Sequence, residues 1–387
     1  MSMAEVLFCI LFAIIFYTYV GYAVVVWIWA GIAGLGKGEE TNFFEPGVTV
    51  VVPAYNEANI LDEKVLNCLA LDYPSEKIKF IFITDGSTDQ SDKVLVAYSE
   101  VMHLHIPQRG GKTMAENRAI QYVSTPYVVF TDCNTLLNPD AIRKLIRHYR
   151  DPRVGAVSGE KRVLSDGGTA GSGEGLYWKY ESFLKKCDSS IYSLMGAAGE
   201  LVSFRTDLFA PLEVDTILDD FVQSMRIVDA GYRVIYEPQA YAMEKPSFSL
   251  SEEMKRKVRI CAGGWQAMAR LLPLLNPLRR PVVSFLYFSH RVLRWSITPV
   301  TLLLLLPLNA YLSYCQGGVY SVLFGLQALF YAAAALGWWR SAQGIPAGPL
   351  VVPLYFTLMN VAVFQGFGRF LRNSQPAAWE KAQRFAS

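Results

Sequence analysis

Short unbroken runs of hydrophobic residues recur through the middle of the chain, and each run ends in a group of polar residues. The segments 48–52, 79–84 and 127–131 contain the clearest runs, and stretches with helical spacing of their apolar residues lie between them. Runs of this kind are typical of parallel strands that are buried on both faces. The alternation of strand and helix predicts an open, mostly parallel α/β sheet of Rossmann-like type, in which ligands bind beyond the carboxyl ends of the strands.

Long apolar stretches flank this middle region at both ends of the chain. No charged residue lies between Glu5 and Lys37, or between Arg294 and Arg340. A membrane-spanning helix needs about 20 apolar residues. The pattern therefore predicts an N-terminal transmembrane helix in 1–36, an α/β domain in 37–250, interfacial amphipathic helices in 251–294, about three transmembrane helices in 295–371 and a tail in 372–387.

Charge and cysteine content narrow the range of partners. The net charge is +2, and no stripe of Lys and Arg follows the chain, so nucleic-acid binding is not expected. The six cysteines are scattered without a Cys-x-x-Cys pair, which indicates reduced thiols rather than disulfides or a zinc site. The four histidines form no ligand pair in the sequence either.

The distribution of basic residues predicts the orientation in the membrane. Most Lys and Arg residues lie in the polar middle region, so we expect an integral protein of the inner (plasma) membrane, in contact with its lipids, with a cytoplasmic catalytic domain. Three C-terminal spans would then place the tail outside, although this region carries Arg369, Arg372, Lys381 and Arg384. Either one apolar run is re-entrant or interfacial, or the positive-inside rule does not hold here, and the number of spans stays open.

The hydrophobic run that ends at Thr131 is followed by an acidic residue, Asp132, and two positions later by a second oxygen-bearing residue, Asn134. Side chains at positions i and i+2 leave a strand on the same side. Carboxylate and amide oxygens in this arrangement can hold a hard divalent cation. The alternative for these two residues is an ordinary Asp/Asn turn after a strand.

Four polar motifs follow the predicted strands, and together they carry a specific resemblance. They are Val-Val-Pro-Ala-Tyr-Asn-Glu at 51–57, Thr-Asp-Gly-Ser-Thr-Asp at 84–89, Gly-Gly-Lys at 110–112 and Thr-Asp-Cys-Asn-Thr at 131–135. In this order they resemble the nucleotide-binding half of the family 2 glycosyltransferases with the GT-A fold. The sequence is particularly similar to the membrane-embedded branch that includes cellulose, chitin and hyaluronan synthases.

The resemblance implies a site for a nucleotide-diphosphate sugar. The residues that it implies for binding this donor are Pro53, Ala54, Tyr55, Glu57, Asp85, Lys112 and Asp132. Asp132 and Asn134 would hold the cofactor, Mg²⁺ or Mn²⁺, against the diphosphate. The family pattern is Asp-x-Asp, so Asn134 is a departure that gives a neutral and weaker ligand. Capping of the following helix is the alternative for Asp85, and a solvated surface position is the alternative for Lys112.

The catalytic residues implied by the resemblance lie further along the chain. Asp220 occupies the position of the family's general base, and Asp219 would support it. The alternative for these two acids is to cap a helix, where the helix dipole favours negative charge. Arg259 matches the arginine of the synthases' Gln-x-x-Arg-Trp motif, which there faces the leaving diphosphate.

The resemblance also implies residues beside the acceptor. Gly199 and Glu200 end the segment Gly-Ala-Ala-Gly-Glu, and the matching segment of the synthases lies under the acceptor sugar. Ile260 replaces the motif's tryptophan, which stacks on the acceptor in processive synthases. Trp265 is a candidate replacement, and the exchange itself weighs against processive addition.

We therefore expect an inverting, metal-dependent hexosyltransferase that transfers a sugar from a nucleotide-diphosphate sugar, with UDP as the expected nucleotide. The acceptor would be a growing polysaccharide at the cytoplasmic face, with export through the membrane region. The alternative is addition of one sugar to a lipid acceptor, ceramide-like or a polyprenyl phosphate, which the altered motif and the few spans favour. A nucleotide-sensing subunit is disfavoured because both Asp132 and Asp220 are present, and a channel or transporter because no charge lies inside a predicted span.

Overall fold

A mixed sheet lies at the centre of the polar middle region. The computed structural model describes residues 1–33, 44–164, 169–245 and 249–378. Within these residues the strands are β1 (Val48–Ala54), β2 (Ile78–Asp85), β3 (Met102–Ile106), β4 (Tyr127–Thr131), β5 (Thr135–Leu137), β6 (Val154–Val163), β7 (Leu201–Arg205) and β8 (Arg233–Glu244). They form one sheet in the order β3-β2-β1-β4-β7-β6-β8-β5.

The first four strands of the sheet order are parallel, as predicted. β1 pairs in parallel with β2 and β4, and β2 pairs in parallel with β3. β7 runs antiparallel to β4 and β6, and β8 is parallel to β6 but antiparallel to β5, so the sheet is mixed beyond β4. Val51 packs in the core on one face and Val50 and Val52 in the core on the other. Burial on both faces explains the unbroken hydrophobic run of β1.

Helices pack against the sheet and also form the apolar ends of the chain. In the described residues they are α1 (Met3–Phe16), α2 (Tyr22–Ala33), α3 (Ala58–Leu69), α4 (Ser91–Val96), α5 (Lys112–Ala119), α6 (Ala141–Ile146), α7 (Thr169–Ile191), α8 (Asp219–Asp229), α9 (Leu250–Arg270), α10 (Pro281–Tyr287), α11 (Thr298–Gln316), α12 (Val319–Ala342) and α13 (Val351–Leu371). A short π-helical turn joins α1 to α2, and a longer π-helical stretch joins α10 to α11.

Some of these helices are long and apolar enough to cross a membrane. Within the described part of the chain, the four candidate spans are Met3–Ala33, Pro281–Gln316, Val319–Ala342 and Gly348–Leu371. The second begins before the predicted boundary at residue 295, because the π-helical stretch makes α10 and α11 one continuous helix. The region predicted as interfacial, 251–294, therefore contains α9 and also the first turns of a candidate span.

The π-helical stretch between α10 and α11 carries three basic side chains, of which His290 and Arg291 are buried and Arg294 is partly buried. Arg291 and Arg294 pair with Glu181 at 2.6 Å and 3.0 Å. His290 lies 2.5 Å from a carboxylate oxygen of Asp188. Both acids come from α7, and such pairing offsets the cost of burying charge. These charges lie within the candidate span Pro281–Gln316, but before residue 295, where the first C-terminal span was predicted to begin.

The last helix, α13, follows the course of α9. Near the start of α13, Tyr355 donates a hydrogen bond to Glu253 of α9 at 2.9 Å. Near its end, Gly366 packs directly on α9, where a Cβ would lie only 2.5 Å from the Cβ of Cys261. Both halves of α13 therefore contact the helix that also carries Arg259.

Candidate functional site

A cleft of about 1150 Å³ opens beyond the carboxyl ends of β1, β2 and β4. Its position is the one expected for the ligand site of an open α/β sheet. All but one of the residues predicted from the sequence line it. These lining residues are Pro53, Ala54, Tyr55, Glu57, Asp85, Lys112, Asp132, Asn134, Gly199, Glu200, Asp219, Asp220 and Arg259.

Asp85, the last residue of β2, holds the neighbouring loop through its side chain. Its two carboxylate oxygens accept hydrogen bonds from the backbone N–H of Gly110 at 2.9 Å and of Gly111 at 2.6 Å. The carboxylate thus binds the turn before α5 and does not cap the helix after β2. Arg109 of the same turn lies over Tyr55, with its guanidinium carbon 3.7 Å from the ring centroid. These contacts fix one wall of the cleft.

Lys112 begins α5 and directs its ammonium group into the cleft. Its Nζ lies 2.5 Å from Oδ1 of Asp132 and 3.9 Å from Glu116. The Lys112 side chain is only 13% exposed, so it is not a solvated surface lysine. Glu116 was not predicted from the sequence. Burial and the negative charge of Asp219 raise the pKa of Glu116 well above its usual value, which favours its uncharged form.

Asn134 is connected to a buried network of charges. Its amide nitrogen donates to Oε1 of Glu244 at 3.4 Å, so its amide oxygen is the atom that would bind a cation. Glu244 also pairs with Lys161, which lies 2.9 Å from Glu200. Although burial opposes the shift, the ammonium group of Lys161 lowers the pKa of Glu200 to about 2. Glu200 is therefore part of an ion pair in the cleft wall. No sequence pattern indicated Lys161 or Glu244, which lie on the adjacent strands β6 and β8.

Asp219 and Asp220 are the first two residues of α8. Oδ1 of Asp220 accepts a hydrogen bond from the backbone N–H of Phe221 at 2.8 Å. Burial and the negative charge of Asp219 raise the pKa of Asp220 to about 7, and Lys112 opposes part of this shift. A carboxylate with a pKa near neutrality can both accept and release a proton under physiological conditions.

Gly199 lies between Asp220 and Lys112. A Cβ at this position would lie 2.9 Å from Nζ of Lys112 and 3.0 Å from Oδ2 of Asp220. Nζ of Lys112 also lies 3.4 Å from the carbonyl oxygen of Gly199. Any side chain here would force the ammonium and the carboxylate to move, so a glycine is needed for both groups to approach the same point.

Arg259 closes another side of the cleft from α9. Its Nη1 donates to the carbonyl oxygen of Ile217 at 3.4 Å, just before the two acids of α8. Burial lowers the pKa of Arg259, and the negative charges of Asp219 and Asp220 oppose this effect. A guanidinium group at this position can donate more than one hydrogen bond to a phosphate.

Trp295, and not the predicted Trp265, lies at the cleft. Trp265 stacks on Phe367 of α13, with ring centroids 4.5 Å apart, and it is not among the described residues that line the cleft. Trp295 lines the cleft instead, 5.2 Å from Phe221 between ring centroids. Gly264 makes this possible, because a Cβ there would lie 2.8 Å from the Trp295 ring. Trp265 was predicted to contact the acceptor because it is close in sequence to the basic motif. That closeness does not show that its ring packs on α13.

The segment that follows α13 also reaches the cleft. Gln375, Pro376 and Ala378 line it. A Cβ on Gly111 would lie 3.1 Å from the Cα of Ala378. The described part of the tail therefore ends beside the loop that Asp85 holds.

A second group of ligand-type side chains lies at the β3 edge of the sheet. His103 and His105 face the same side of β3, and both contact Asp92 of α4, at 3.4 Å and 2.9 Å. One ligand atom from each of the three residues lies within 4.8 Å of the others, so this group could hold a metal ion. The prediction that the histidines form no ligand pair was wrong, because alternate residues of a strand share one side.

Comparison with known proteins gives sequence relatives over much of the chain. A poly-beta-1,6-N-acetyl-D-glucosamine synthase of Staphylococcus aureus is 28% identical over 248 residues, which are 61% of this chain and 59% of the relative. The enzyme of the same name from Staphylococcus epidermidis is 25% identical over 235 residues, 58% of this chain and 56% of the relative. The chain thus matches less than two thirds of the length of these relatives.

A solved structure shares the fold. It is the mannosyltransferase PcManGT from Pyrobaculum calidifontis, in complex with GDP-Man and Mn²⁺. The TM-score is 0.73 at 22% identity, and the match covers 96% of this chain and 99% of the other. At this identity the similarity establishes the GT-A fold, in agreement with the fold class predicted from the sequence.

Two family models match the sequence itself. The model described as glycosyl transferase family 2 matches residues 49–203, and that described as glycosyl transferase family group 2 matches residues 127–360. Together they cover residues 49–360, which include all the candidate site residues. The chain belongs to the family 2 glycosyltransferases, as the sequence motifs predicted, and is homologous to a polysaccharide synthase.

Proposed function

We propose that the chain is an inverting, metal-dependent hexosyltransferase that extends a polysaccharide from a nucleotide-diphosphate sugar, with UDP as the expected nucleotide. The observation that carries the proposal is the meeting of Lys112 and Asp220 across Gly199. A group that binds the anionic donor and a group that can remove a proton thereby face the same small region of the cleft. Transfer of a sugar to a hydroxyl requires both groups at one place.

Asp220 would act as the general base. In an inverting transfer the acceptor hydroxyl loses its proton as its oxygen attacks the sugar carbon, and the diphosphate leaves from the opposite face. A pKa of about 7 allows Asp220 to take this proton at neutral pH. Asp219 would support the base by keeping that pKa high through its negative charge.

The donor would bind along the loops after β1, β2 and β4. Pro53, Tyr55 and Glu57 would line the pocket of the base, and Asp85 would accept a hydrogen bond from its edge. Lys112 and Arg259 would contact the diphosphate, since both cations face the cleft and lie close to the acidic pair of α8.

The residues at the end of β4 fit a divalent cation. Asp132 already pairs with a cation, the ammonium group of Lys112 at 2.5 Å, so its position suits a positive charge. Asn134 offers an amide oxygen, and the nearby Glu244 adds negative charge, which compensates for the missing acid of Asp-x-Asp. Oxygen ligands of this kind suit Mg²⁺ and Mn²⁺ equally. A bound ion would neutralise charge on the leaving diphosphate.

The relatives favour a polymer as the product. The two staphylococcal relatives are named as synthases of a β-1,6-linked polysaccharide. The second candidate is addition of a single sugar to a lipid, and Ile260 favours it, because the aromatic residue of the synthases' motif is absent at that position. Trp295, which lines the cleft, offers an aromatic surface to an acceptor in either case.

The course of α13 supports a topology with three spans and a cytoplasmic tail. Both halves of α13 contact α9, and the segment after it contacts Gly111 in the cleft. An element whose two ends lie beside the catalytic domain would lie along the inner membrane surface. Arg340, Arg369 and Arg372 would then all be cytoplasmic, in accord with the positive-inside rule.

Cysteine labelling tests this topology in intact cells. In a cysteine-free variant, Gly317→Cys reports on the turn between α11 and α12, and Asn373→Cys reports on the tail. We expect a membrane-impermeant maleimide to label position 317 from outside, and position 373 only after the cells are opened. Labelling of position 373 in intact cells would contradict the cytoplasmic tail.

The proposed reaction is tested with the full chain in lipid nanodiscs. Release of nucleotide diphosphate from a panel of UDP- and GDP-sugars is measured with Mg²⁺ or Mn²⁺, and the products are sized. We expect release from one UDP-sugar that requires the metal and gives a ladder of glycan products. A product with one sugar on a lipid would favour the second candidate. Absence of release from every donor would reject both.

A further inference from the structure

Lys185 is a buried ammonium group in the wall of the cleft. It lies on α7, is only 2% exposed and lines the cleft. Its Nζ faces two aromatic rings, 4.7 Å from the centroid of Trp178 and 5.8 Å from that of Tyr236. Among the described residues, none places a carboxylate within ion-pair distance of this nitrogen or accepts a hydrogen bond from it.

Other buried lysines of the described chain have partners. Lys64 donates hydrogen bonds to two oxygen atoms, at 3.1 Å and 2.8 Å. Lys161 pairs with Glu200 at 2.9 Å. A buried charge without such a partner is costly and is rarely retained without a function. Burial lowers the pKa of Lys185, and the negative charge of Glu181 opposes this effect. An anion beside Nζ would stabilise the charged form of the side chain and so raise the pKa again.

The position of Lys185 connects it to the base through a short series of contacts. Glu181, one helical turn before it on α7, pairs with Arg291 at 2.6 Å. The guanidinium carbon of Arg291 lies 5.8 Å from the ring centroid of Phe221, the residue that follows Asp220. Lys185 therefore lies on one side of Asp220, in the cleft wall that α7 forms. Lys112 and the proposed metal ligands lie on the other side, in the wall that α5 and β4 form.

The same helix joins the cleft to the apolar N-terminal helices. The hydroxyl of Tyr22 donates to Asp188 of α7 at 2.6 Å, and that of Tyr180 donates to the carbonyl oxygen of Tyr19 at 2.9 Å. An acceptor that enters from the membrane side would pass along this wall before its hydroxyl reaches Asp220.

We propose that Lys185 binds an anionic oxygen group, a phosphate or a carboxylate, on the acceptor. This inference rests on the proposed function, because it assumes an acceptor beside Asp220. The aromatic faces of Trp178 and Tyr236 hold the ammonium by cation–π contact and leave its N–H groups for the ligand. An uncharged acceptor would exclude water from the ammonium group without pairing its charge, whereas an anionic acceptor would form a charge-assisted hydrogen bond with it. The wall thus selects acceptors that carry negative charge.

Equilibrium binding tests the proposal without relying on turnover. The full chain in phosphatidylcholine nanodiscs is titrated with three radiolabelled probes: a short-chain polyprenyl phosphate, a uronic-acid oligosaccharide and a neutral N-acetylglucosamine oligosaccharide. The variants are Lys185→Met, which keeps the length of the side chain without its charge, and Lys186→Met. Lys186 is the matched control because it is the next residue of the same helix and is exposed.

We expect one anionic probe to bind wild type and K186M equally and K185M about tenfold or more weakly, as for loss of a charge-assisted hydrogen bond. The neutral probe should bind wild type and K185M equally. The anionic probe that binds identifies the source, lipid or glycan. Equal binding of the anionic probes to wild type and K185M, or their failure to bind wild type, would overturn the proposal.

Two further measurements separate this proposal from folding and from the proposed function. K185M should unfold at the same or a higher temperature than wild type, since it removes a buried unpaired charge. The Kd for the UDP-sugar donor should be equal in K185M and wild type, because the residues proposed to bind the donor are unchanged. Absence of nucleotide-diphosphate release from wild type with every donor of the panel would reject the proposed reaction, whereas the binding titration tests Lys185 independently of turnover.

Discussion

The two adjacent acids at the start of α8 predict a specific pH dependence of turnover. With a pKa of about 7, the fraction of Asp220 that is ionised rises from about one tenth at pH 6 to about nine tenths at pH 8. If the ionised carboxylate is the base, kcat/KM rises by about tenfold over this range, because kcat/KM reports the free enzyme. Activity is thus lost as the pH falls through the raised pKa.

The variant Asp219→Asn tests the cause of that pKa. Asp219 is the neighbouring charge that raises the pKa of Asp220 most after burial itself, so its neutralisation lowers this pKa. Loss of one like charge at close range moves such a pKa by about one unit. The midpoint of the acid limb should therefore fall from about pH 7 to about pH 6.

The assay measures initial rates of nucleotide-diphosphate release at subsaturating donor between about pH 5.5 and about pH 8.5, the range that brackets both midpoints. Asp215→Asn is the matched control, because Asp215 lies in the same segment but is exposed and pairs with Arg270. Its midpoint should equal that of the wild type. An unchanged midpoint in D219N, or a rate that does not rise with pH, would refute the assignment of Asp220 as a base tuned by its neighbour.

Other substitutions test other parts of the cleft. Gly199→Ala should lower kcat by about tenfold or more with little change in Tm, because the new methyl group displaces the ends of the Lys112 and Asp220 side chains; an unchanged kcat would contradict this. Asn134→Asp should lower the Mn²⁺ concentration for half-maximal activity several-fold, since it adds a charged ligand, although Glu244 nearby limits the gain. Trp295→Ala should raise the KM for the acceptor, whereas Trp265→Ala should lower only Tm, through its lost packing in α13; the reverse pattern would restore the sequence-based assignment.

The parts of the fold that the sequence predicts well are those encoded locally. The run of β1 and the motif after each parallel strand are contiguous in sequence, and parallel strands bring their carboxyl ends to one edge of a sheet. The positions of Asp85 and Asp132 in one cleft therefore follow from the motifs alone. The family resemblance adds Asp220. Its closeness to Lys112 in space cannot be deduced from the spacing of the two residues along the chain.

The features of the fold and of the site that were not predicted depend on contacts between segments that are distant in the sequence. Glu244 and Lys161 come together because β8 pairs with β6, a register that no local pattern specifies. Trp295 reaches the cleft because a π-helical stretch changes the face that it presents and because Gly264 leaves room for its ring. The burial of Lys185 depends in the same way on the packing of a whole helix. A sequence pattern indicates the chemistry that a residue offers, and tertiary packing determines whether its side chain reaches the cleft.

Single-turnover transfer by Asp220→Asn, with donor binding measured in parallel, tests whether Asp220 is the general base. Asparagine keeps the shape of the side chain but cannot accept the proton. If Asp220 is the base, the Kd for the donor is unchanged and the rate of transfer falls by about 10²- to 10⁴-fold. A D220N variant that transfers sugar at nearly the wild-type rate would contradict this assignment.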